Sequence, residues 1–105
     1  MAEIPNAARL IIDQFLSELA LHDIKVDQAI LFGSYAKGTF DEWSDIDLAL
    51  VSATFAGERF KDREKMRRIK LKISSLLEPV PYTPEEFNAD NPFIKHLLET
   101  GIRIR

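Results

Sequence analysis

The residues whose types and spacing best suit a catalytic or binding site are two aspartates with one residue between them and a glycine–serine pair upstream. Asp45 and Asp47 lead into the apolar run "LALV", and Gly33-Ser34 follows the apolar run "AILF". Residues two apart in a strand point to the same side, so the two carboxylates are presented together. Close carboxylates repel and resist ionisation unless a cation lies between them. Mg²⁺, which prefers oxygen ligands, suits such a pair.

The pair Gly33-Ser34 suggests the second half of such a site. Glycine lets the backbone approach a ligand closely, and free N–H groups at a helix start favour anions. A cation site beside a phosphate-binding turn is what phosphoryl or nucleotidyl transfer requires. Each motif alone is weak, because an Asp-x-Asp pair is usually a strand end or a cap. The two motifs together predict a site for a metal ion and a nucleotide.

Three longer helices would position these residues. The first is predicted over 6–22 with Asn6 as its candidate cap, the second over 58–76, and the third from Asn91-Pro92 to Gly101. Apolar residues at helical spacing define the first two helices. They are Ala8, Ile12, Phe15 and Leu19, then Met66, Ile69, Ile73 and Leu76.

The apolar runs between the helices predict strands. Residues 26–33 read as a central strand buried on both faces, and 45–51 as a second strand. A third strand is predicted at 76–82, where two prolines favour a sheet edge. A short helix should follow Gly33-Ser34, and "IRIR" at the end is a possible short strand. This order predicts an α/β fold, a small mixed sheet flanked by helices.

Composition narrows the function classes. The 105 residues predict a single domain over 1–105, and a net charge of −3 makes direct nucleic-acid binding unlikely as a main function. No apolar window is long enough to span a membrane. The absence of cysteine excludes disulfides and thiolate metal sites and favours a cytoplasmic location.

Positive charge is concentrated in residues 59–72. This segment holds eight of the 14 basic side chains and two acids, Asp62 and Glu64. A solvated helix face is one interpretation, because Lys and Arg stems cover apolar surface. Docking of an acidic partner or a polynucleotide end is the other, and the sequence leaves both open.

The stretch "GSYAKGTFDEWSDIDLALV" closely resembles the signature of the minimal nucleotidyltransferases, within the polymerase-beta-like superfamily. The residues that match this signature at the family's spacing are Gly33, Ser34, Gly38, Ser44, Asp45, Asp47 and Leu48. The resemblance implies the nucleotidyltransferase (polymerase-beta-like) fold over the whole chain. It also implies that Asp45 and Asp47 hold magnesium ions, and that Gly33 and Ser34 contact the nucleotide triphosphate.

The same resemblance assigns the remaining site residues and shows two departures from the family pattern. "LLEPVPYTPEEF" aligns Glu78 with the family's third catalytic carboxylate, commonly Asp, which completes the metal site and helps activate the attacking hydroxyl. Lys37 replaces the more usual Arg, which keeps the charge but loses bidentate phosphate binding. The implied catalytic and metal residues are Asp45, Asp47 and Glu78; the implied nucleotide-binding residues are Gly33, Ser34, Lys37 and Ser44.

Other polar and aromatic residues carry weaker hypotheses. Glu85 and Glu86 are alternative third carboxylates, although "TPEEF" is typical of a capped helical turn. Asp41 and Glu42 are predicted to lie in a solvated turn. The Trp43 side chain is expected to pack against the protein, and contact with a base or a partner is the alternative. His22 and His96 belong to no motif and are expected at the surface.

The family resemblance implies a magnesium-dependent enzyme that transfers AMP from ATP to an acceptor hydroxyl. It also implies a partner, a small helical HEPN-type toxin, with this protein as the antitoxin that adenylylates a toxin tyrosine. An alternative is an antitoxin that neutralises the toxin by binding alone, with a vestigial site. A third hypothesis is transfer to a small molecule or an RNA end.

Overall fold

The computed structural model describes residues 4–105, in which four helices alternate with four strands. The predicted order of elements is confirmed, and the possible strand after Gly101 is present as β4. The elements are α1 (Asn6–Leu21), β1 (Gln28–Phe32), α2 (Ser34–Lys37), β2 (Ile46–Val51), α3 (Arg59–Ile73), β3 (Leu77–Tyr82), α4 (Pro92–Thr100) and β4 (Ile102–Arg103).

The four strands form one mixed sheet in the order β3-β2-β1-β4. β1 is antiparallel to both β2 and β4, whereas β2 and β3 are parallel. The predicted central position of β1 and edge position of β3 are both confirmed. Pro79 and Pro81 lack the N–H that a second ladder would need, so β3 is suited to an edge.

The helix ends show which capping predictions hold. Asn6 is not the cap of α1: Pro5 occupies the cap position without a side-chain hydrogen bond, and Asn6 is already helical. The predicted helix start at Asn91-Pro92 is confirmed: α4 begins at Pro92, and the Asn91 side chain caps it by accepting a hydrogen bond from the Phe93 N–H at 2.9 Å. α3 ends at Ile73, three residues before the predicted limit, because Ser74 takes an extended conformation.

The sheet has two unlike faces, set by the alternation of side chains along each strand. One face, here called the closed face, is covered by α1 and α3 and carries Leu31, Leu48 and Leu77, all fully buried. The other, here called the open face, packs α4 against part of the sheet through residues such as Ile94 and Leu97. The ends of the strands that α4 does not cover belong to this open face.

Asp62 departs from its expected place on a charged helix surface. It is only 2% exposed, and its carboxylate accepts hydrogen bonds from the N–H groups of Ala56 at 2.8 Å and Gly57 at 3.0 Å. Lys65 Nζ lies 3.8 Å from the same carboxylate. Asp62 therefore fixes the loop that enters α3, which leaves Glu64 as the exposed acid of the basic segment.

Within residues 4–105, no helix is both long enough and apolar enough to cross a membrane.

Candidate active site

The glycine–serine turn and the second aspartate lie side by side. Phe32, the last residue of β1, pairs with Asp47 of β2, and the chain turns immediately afterwards at Gly33. Gly33 has a φ of +74°, which L side chains rarely adopt. A Cβ at this position would also collide with the Asp47 carboxylate. Glycine is thus required twice over, and it brings the backbone of the turn against the carboxylate.

The short helix α2 sets the directions of Ser34 and Lys37. It is closed by hydrogen bonds from the Lys37 N–H to the Gly33 carbonyl at 3.1 Å and from the Thr39 N–H to the Ser34 carbonyl at 3.0 Å. Tyr35 is buried and stacks on Phe40 with ring centroids 4.7 Å apart, which anchors the turn. Ser34 is half-buried beside Gly33, and Lys37 is exposed.

Asp45 and Ser44 occupy the loop that enters β2. Asp45 is exposed and directly precedes the strand. The Ser44 hydroxyl accepts a hydrogen bond from the Asp41 N–H at 2.8 Å, and the Asp41 carboxylate accepts one from the Trp43 N–H at 2.8 Å. Ser44 and Asp41 therefore shape the exposed turn that delivers Asp45, as predicted for Asp41. A nucleotide contact by Ser44 stays a prediction.

Glu78 lies on the strand next to the aspartates. In the parallel pairing of β2 and β3, its Cα is the partner of the Asp47 Cα. Burial raises the pKa of Asp47, and the charges of Asp45 and Glu78 raise it further. The charges of Asp45 and Glu78 therefore both act on Asp47 at one end of the sheet. Such an excess of negative charge is what a bound divalent cation would relieve.

Glu78 also has a cationic neighbour. Lys70 Nζ lies 3.7 Å from Glu78 Oε1 and donates a hydrogen bond to the Leu77 carbonyl at 3.0 Å. Across residues 4–105, no three His, Cys, Asp or Glu side chains are gathered closely enough to form a metal site. A three-carboxylate set would need the Glu78 side chain to turn from Lys70. The aspartate pair still fits Mg²⁺, which commonly binds one or two protein carboxylates together with substrate phosphates.

A small cleft begins at Gly33 and runs between α2 and α4. Its volume is about 150 Å³, below the range of typical ligand pockets, so it could take only part of a nucleotide. Phe93 is 51% exposed and meets Phe32 edge to face at 6.0 Å. Lys37 and His96 also line the cleft. Sequence reasoning missed Phe93, because only the fold brings the start of α4 beside the glycine turn.

The alternative third carboxylates, Glu85 and Glu86, lie in the turn that follows β3. The Glu86 carboxylate accepts a hydrogen bond from the Thr83 N–H at 2.9 Å, and the Thr83 hydroxyl accepts one from the Glu86 N–H at 3.2 Å, so the predicted capped turn is confirmed. Glu85 is exposed in that same turn. His22 and His96 are exposed, as expected. The packing interpretation of Trp43 is wrong, because its side chain is 77% exposed.

Comparison with known proteins agrees with this geometry. Residues 11–99 match the family model described as nucleotidyltransferase domain. Two proteins of Methanocaldococcus jannaschii, both named "putative protein adenylyltransferase", are 37% identical over 62 residues and 33% identical over 81 residues. These matches cover 55% and 71% of this chain and 61% and 54% of the relatives, so the chain spans less than two thirds of their length.

A solved structure shows the same fold. The crystal structure titled as a putative nucleotidyltransferase from Sulfolobus solfataricus superposes with a TM-score of 0.59 and 19% sequence identity, covering 98% of this chain and 89% of that one. The mixed sheet with flanking helices is therefore the nucleotidyltransferase fold. Since the family model also matches most of its length, this chain belongs to the nucleotidyltransferase domain family.

Proposed function

We propose that this domain transfers AMP from ATP to a hydroxyl group of a protein acceptor, using Mg²⁺. The observation that carries the proposal is the contact between the Gly33 turn and the Asp47 carboxylate, which would set phosphates on the turn beside a cation at the carboxylate. Family membership supports nucleotidyl transfer, and the names of the two relatives support a protein acceptor.

The carboxylates would hold the metal ions. Asp45 and Asp47 are the primary ligands, and Glu78 joins them on the acceptor side. Bound Mg²⁺ would neutralise triphosphate charge and make the acceptor hydroxyl easier to deprotonate. The raised pKa of Asp47 supports this assignment, because a group destabilised as an anion gains most from a cation.

The phosphates would lie along the Gly33-Ser34 turn. Gly33 lacks the Cβ that would block a close approach, and the Ser34 hydroxyl can donate a hydrogen bond to a phosphate oxygen. Lys37, exposed at the end of α2, would add a point charge. Ser44 would contact the nucleotide from the loop before Asp45. The base would occupy the cleft beside Phe93, whose exposed ring is a stacking surface.

The reaction exchanges a phosphoanhydride bond of ATP for a phosphate ester bond to the acceptor. The acceptor oxygen forms a bond to the α-phosphorus of ATP, and the bond from that phosphorus to the oxygen bridging to the β-phosphate breaks. Pyrophosphate leaves, and the hydroxyl proton passes to Glu78 or to solvent. Glu78 suits the proton-accepting role because it is half exposed at the mouth of the site.

The acceptor we propose is a tyrosine of a HEPN-type toxin, with this protein as the cytoplasmic antitoxin of the pair. Resemblance to the minimal nucleotidyltransferases supports this partner. A second candidate function, neutralisation by binding alone, has one observation in its favour. Glu78 is paired with Lys70, and the three carboxylates do not converge.

Labelling separates the two functions. The protein is incubated with Mg²⁺, ATP labelled at the α-phosphate, and a HEPN protein encoded beside it. If the wild type transfers AMP, the HEPN protein should become labelled. The double variant Asp45→Asn/Asp47→Asn should neither label the HEPN protein nor neutralise its toxicity. Neutralisation by both the wild type and the double variant, without any label, would contradict transfer and establish binding alone.

A further inference from the structure

Four cationic residues of α3 form one stripe, here called the basic track: Arg59, Arg63, Arg67 and Lys70. Their spacing of 4, 4 and 3 residues places them on one side of the helix. Contacts at its two ends fix its course. The Arg59 guanidinium lies 5.1 Å from the centre of the Tyr82 ring, and Lys70 Nζ lies 3.7 Å from Glu78. The basic track therefore runs along the edge strand β3.

A groove of about 170 Å³ separates the basic track from β3. Arg63, Glu64, Arg67 and Lys70 line the α3 side of the groove, and Glu78 and Pro79 line the other side. Arg63 and Arg67 are both exposed. Among residues 4–105, neither guanidinium has a carboxylate within ion-pair distance, whereas Lys70 does. The groove thus offers two free guanidinium groups and ends at the carboxylate assigned to the acceptor side.

We propose that the basic track binds an acidic segment of the acceptor protein and delivers its hydroxyl to Glu78. The proposal rests on the proposed function and names the chemistry of its partner. Free guanidinium groups bind carboxylates and phosphates, with which they form paired hydrogen bonds. A docked carboxylate near Lys70 would also compete with Glu78 for that amine, which would release Glu78 toward the aspartates.

The surroundings favour a short acidic peptide over a polynucleotide. The groove is small and offers two free guanidinium groups, which match a few carboxylates, whereas polynucleotide affinity comes from neutralising many phosphates. Pairing of an extra strand to β3 is also disfavoured, because Pro79 and Pro81 remove two N–H donors from that strand. Recognition would therefore come from the cationic side chains rather than from the backbone.

Peptide binding tests the proposal without requiring transfer. The probes are two fluorescent peptides with a central tyrosine, one flanked by glutamates and the other by glutamines. The wild type should bind the glutamate peptide about tenfold or more tightly, a difference of at least ~1.4 kcal/mol. The variant Arg63→Gln/Arg67→Gln should lose most of this preference. Lys61→Gln/Lys72→Gln removes the same charge from exposed positions of α3 away from the stripe and should keep it.

The outcomes are distinct. Equal losses in both double variants would overturn the basic track in favour of bulk charge. Tighter binding of an oligothymidylate of equal length would overturn the peptide in favour of a polynucleotide. ATP affinity should be unchanged in both variants. If the wild type shows the peptide preference but transfers no AMP to any acceptor, the proposed function fails while the docking surface stands.

Discussion

The two faces of the sheet differ in what their side chains do, although the same strands build both. On the closed face, Leu48 is fully buried beneath α1 and α3. Its neighbour Asp47 points to the open face, where it meets the Gly33 turn and has a raised pKa. The closed face carries the larger part of the core, whereas the open face combines a smaller core beneath α4 with charges that repel one another. Stability and chemistry are thus separated by a single residue step along β2.

Removing the Asp47 charge should give the largest effect and the sharpest contrast between the faces. Asp47→Asn deletes a metal ligand while keeping the shape, so AMP transfer should fall about 10³-fold or more, since a bound metal contributes several kcal/mol. Magnesium-dependent ATP binding should weaken strongly as well. Calorimetry and labelling measure the two effects. Equal ATP affinity in variant and wild type, with Mg²⁺ present, would refute a metal-bridged site.

Truncating Leu48 should show the opposite behaviour. Leu48→Ala leaves a cavity in the closed face and should lower the free energy of unfolding by about 2–5 kcal/mol. Transfer per folded molecule should not change. Urea denaturation measures the loss, and Val80→Ala, half-buried on the open face, is the control with an expected loss below about 2 kcal/mol. A larger loss at Val80 would contradict the division between the faces.

Glu78→Gln should separate transfer from nucleotide binding within the open face. The third carboxylate serves the acceptor side, so transfer should fall at least ~10²-fold, a loss of the size that misplaced catalytic groups cause. ATP affinity should stay within about threefold, under ~1 kcal/mol. Binding isotherms and labelling measure both quantities. If Glu78→Gln transfers AMP as well as the wild type, Glu85 and Glu86 become the next residues to test.

Phe93→Ala tests whether the cleft beside α4 belongs to the nucleotide site. Loss of a stacking surface should weaken ATP binding about 5- to 30-fold, which corresponds to ~1–2 kcal/mol. Binding of inorganic triphosphate should not change, because it has no base. Leu98→Ala, an exposed apolar truncation on the same helix, is the matched control. Equal weakening of ATP and triphosphate would place Phe93 outside the base site.

The smallest expected effect is the pH dependence of stability due to Asp47. Its pKa in the folded protein is raised above the ordinary 3.8, so the unfolded chain releases this proton at lower pH. Stability from Asp47 is therefore present below 3.8 and is lost as the pH rises through the folded value. In metal-free buffer, the free energy of unfolding of Asp47→Asn should rise relative to that of the wild type as the pH rises from 3.8 through the folded pKa, and the difference should then stay constant. A free energy of unfolding that rises more in the wild type than in the variant would contradict a raised pKa of Asp47.

The sequence by itself determined the order of the elements and the adjacency of the Gly33 turn and Asp47. Apolar spacing located the helices, and prolines placed β3 at an edge, because these signals depend on local backbone chemistry. The pairing of Gly33-Ser34 with Asp45 and Asp47 was also predictable, since a short connection between two strands favours their adjacency.

Tertiary structure alone decided which distant residues meet. Nothing local indicates that Asp62 is buried by a loop or that Phe93 stands beside Gly33. Asn6 has the residue type of a helix cap but is not one, because Pro5 occupies the cap position and Asn6 is already the first helical residue. The pairing of Lys70 with Glu78 likewise depends on α3 packing along β3. Phe93 and Gly33 are far apart in sequence, and Lys70 and Glu78 belong to different elements, so only the packing of whole elements sets these distances.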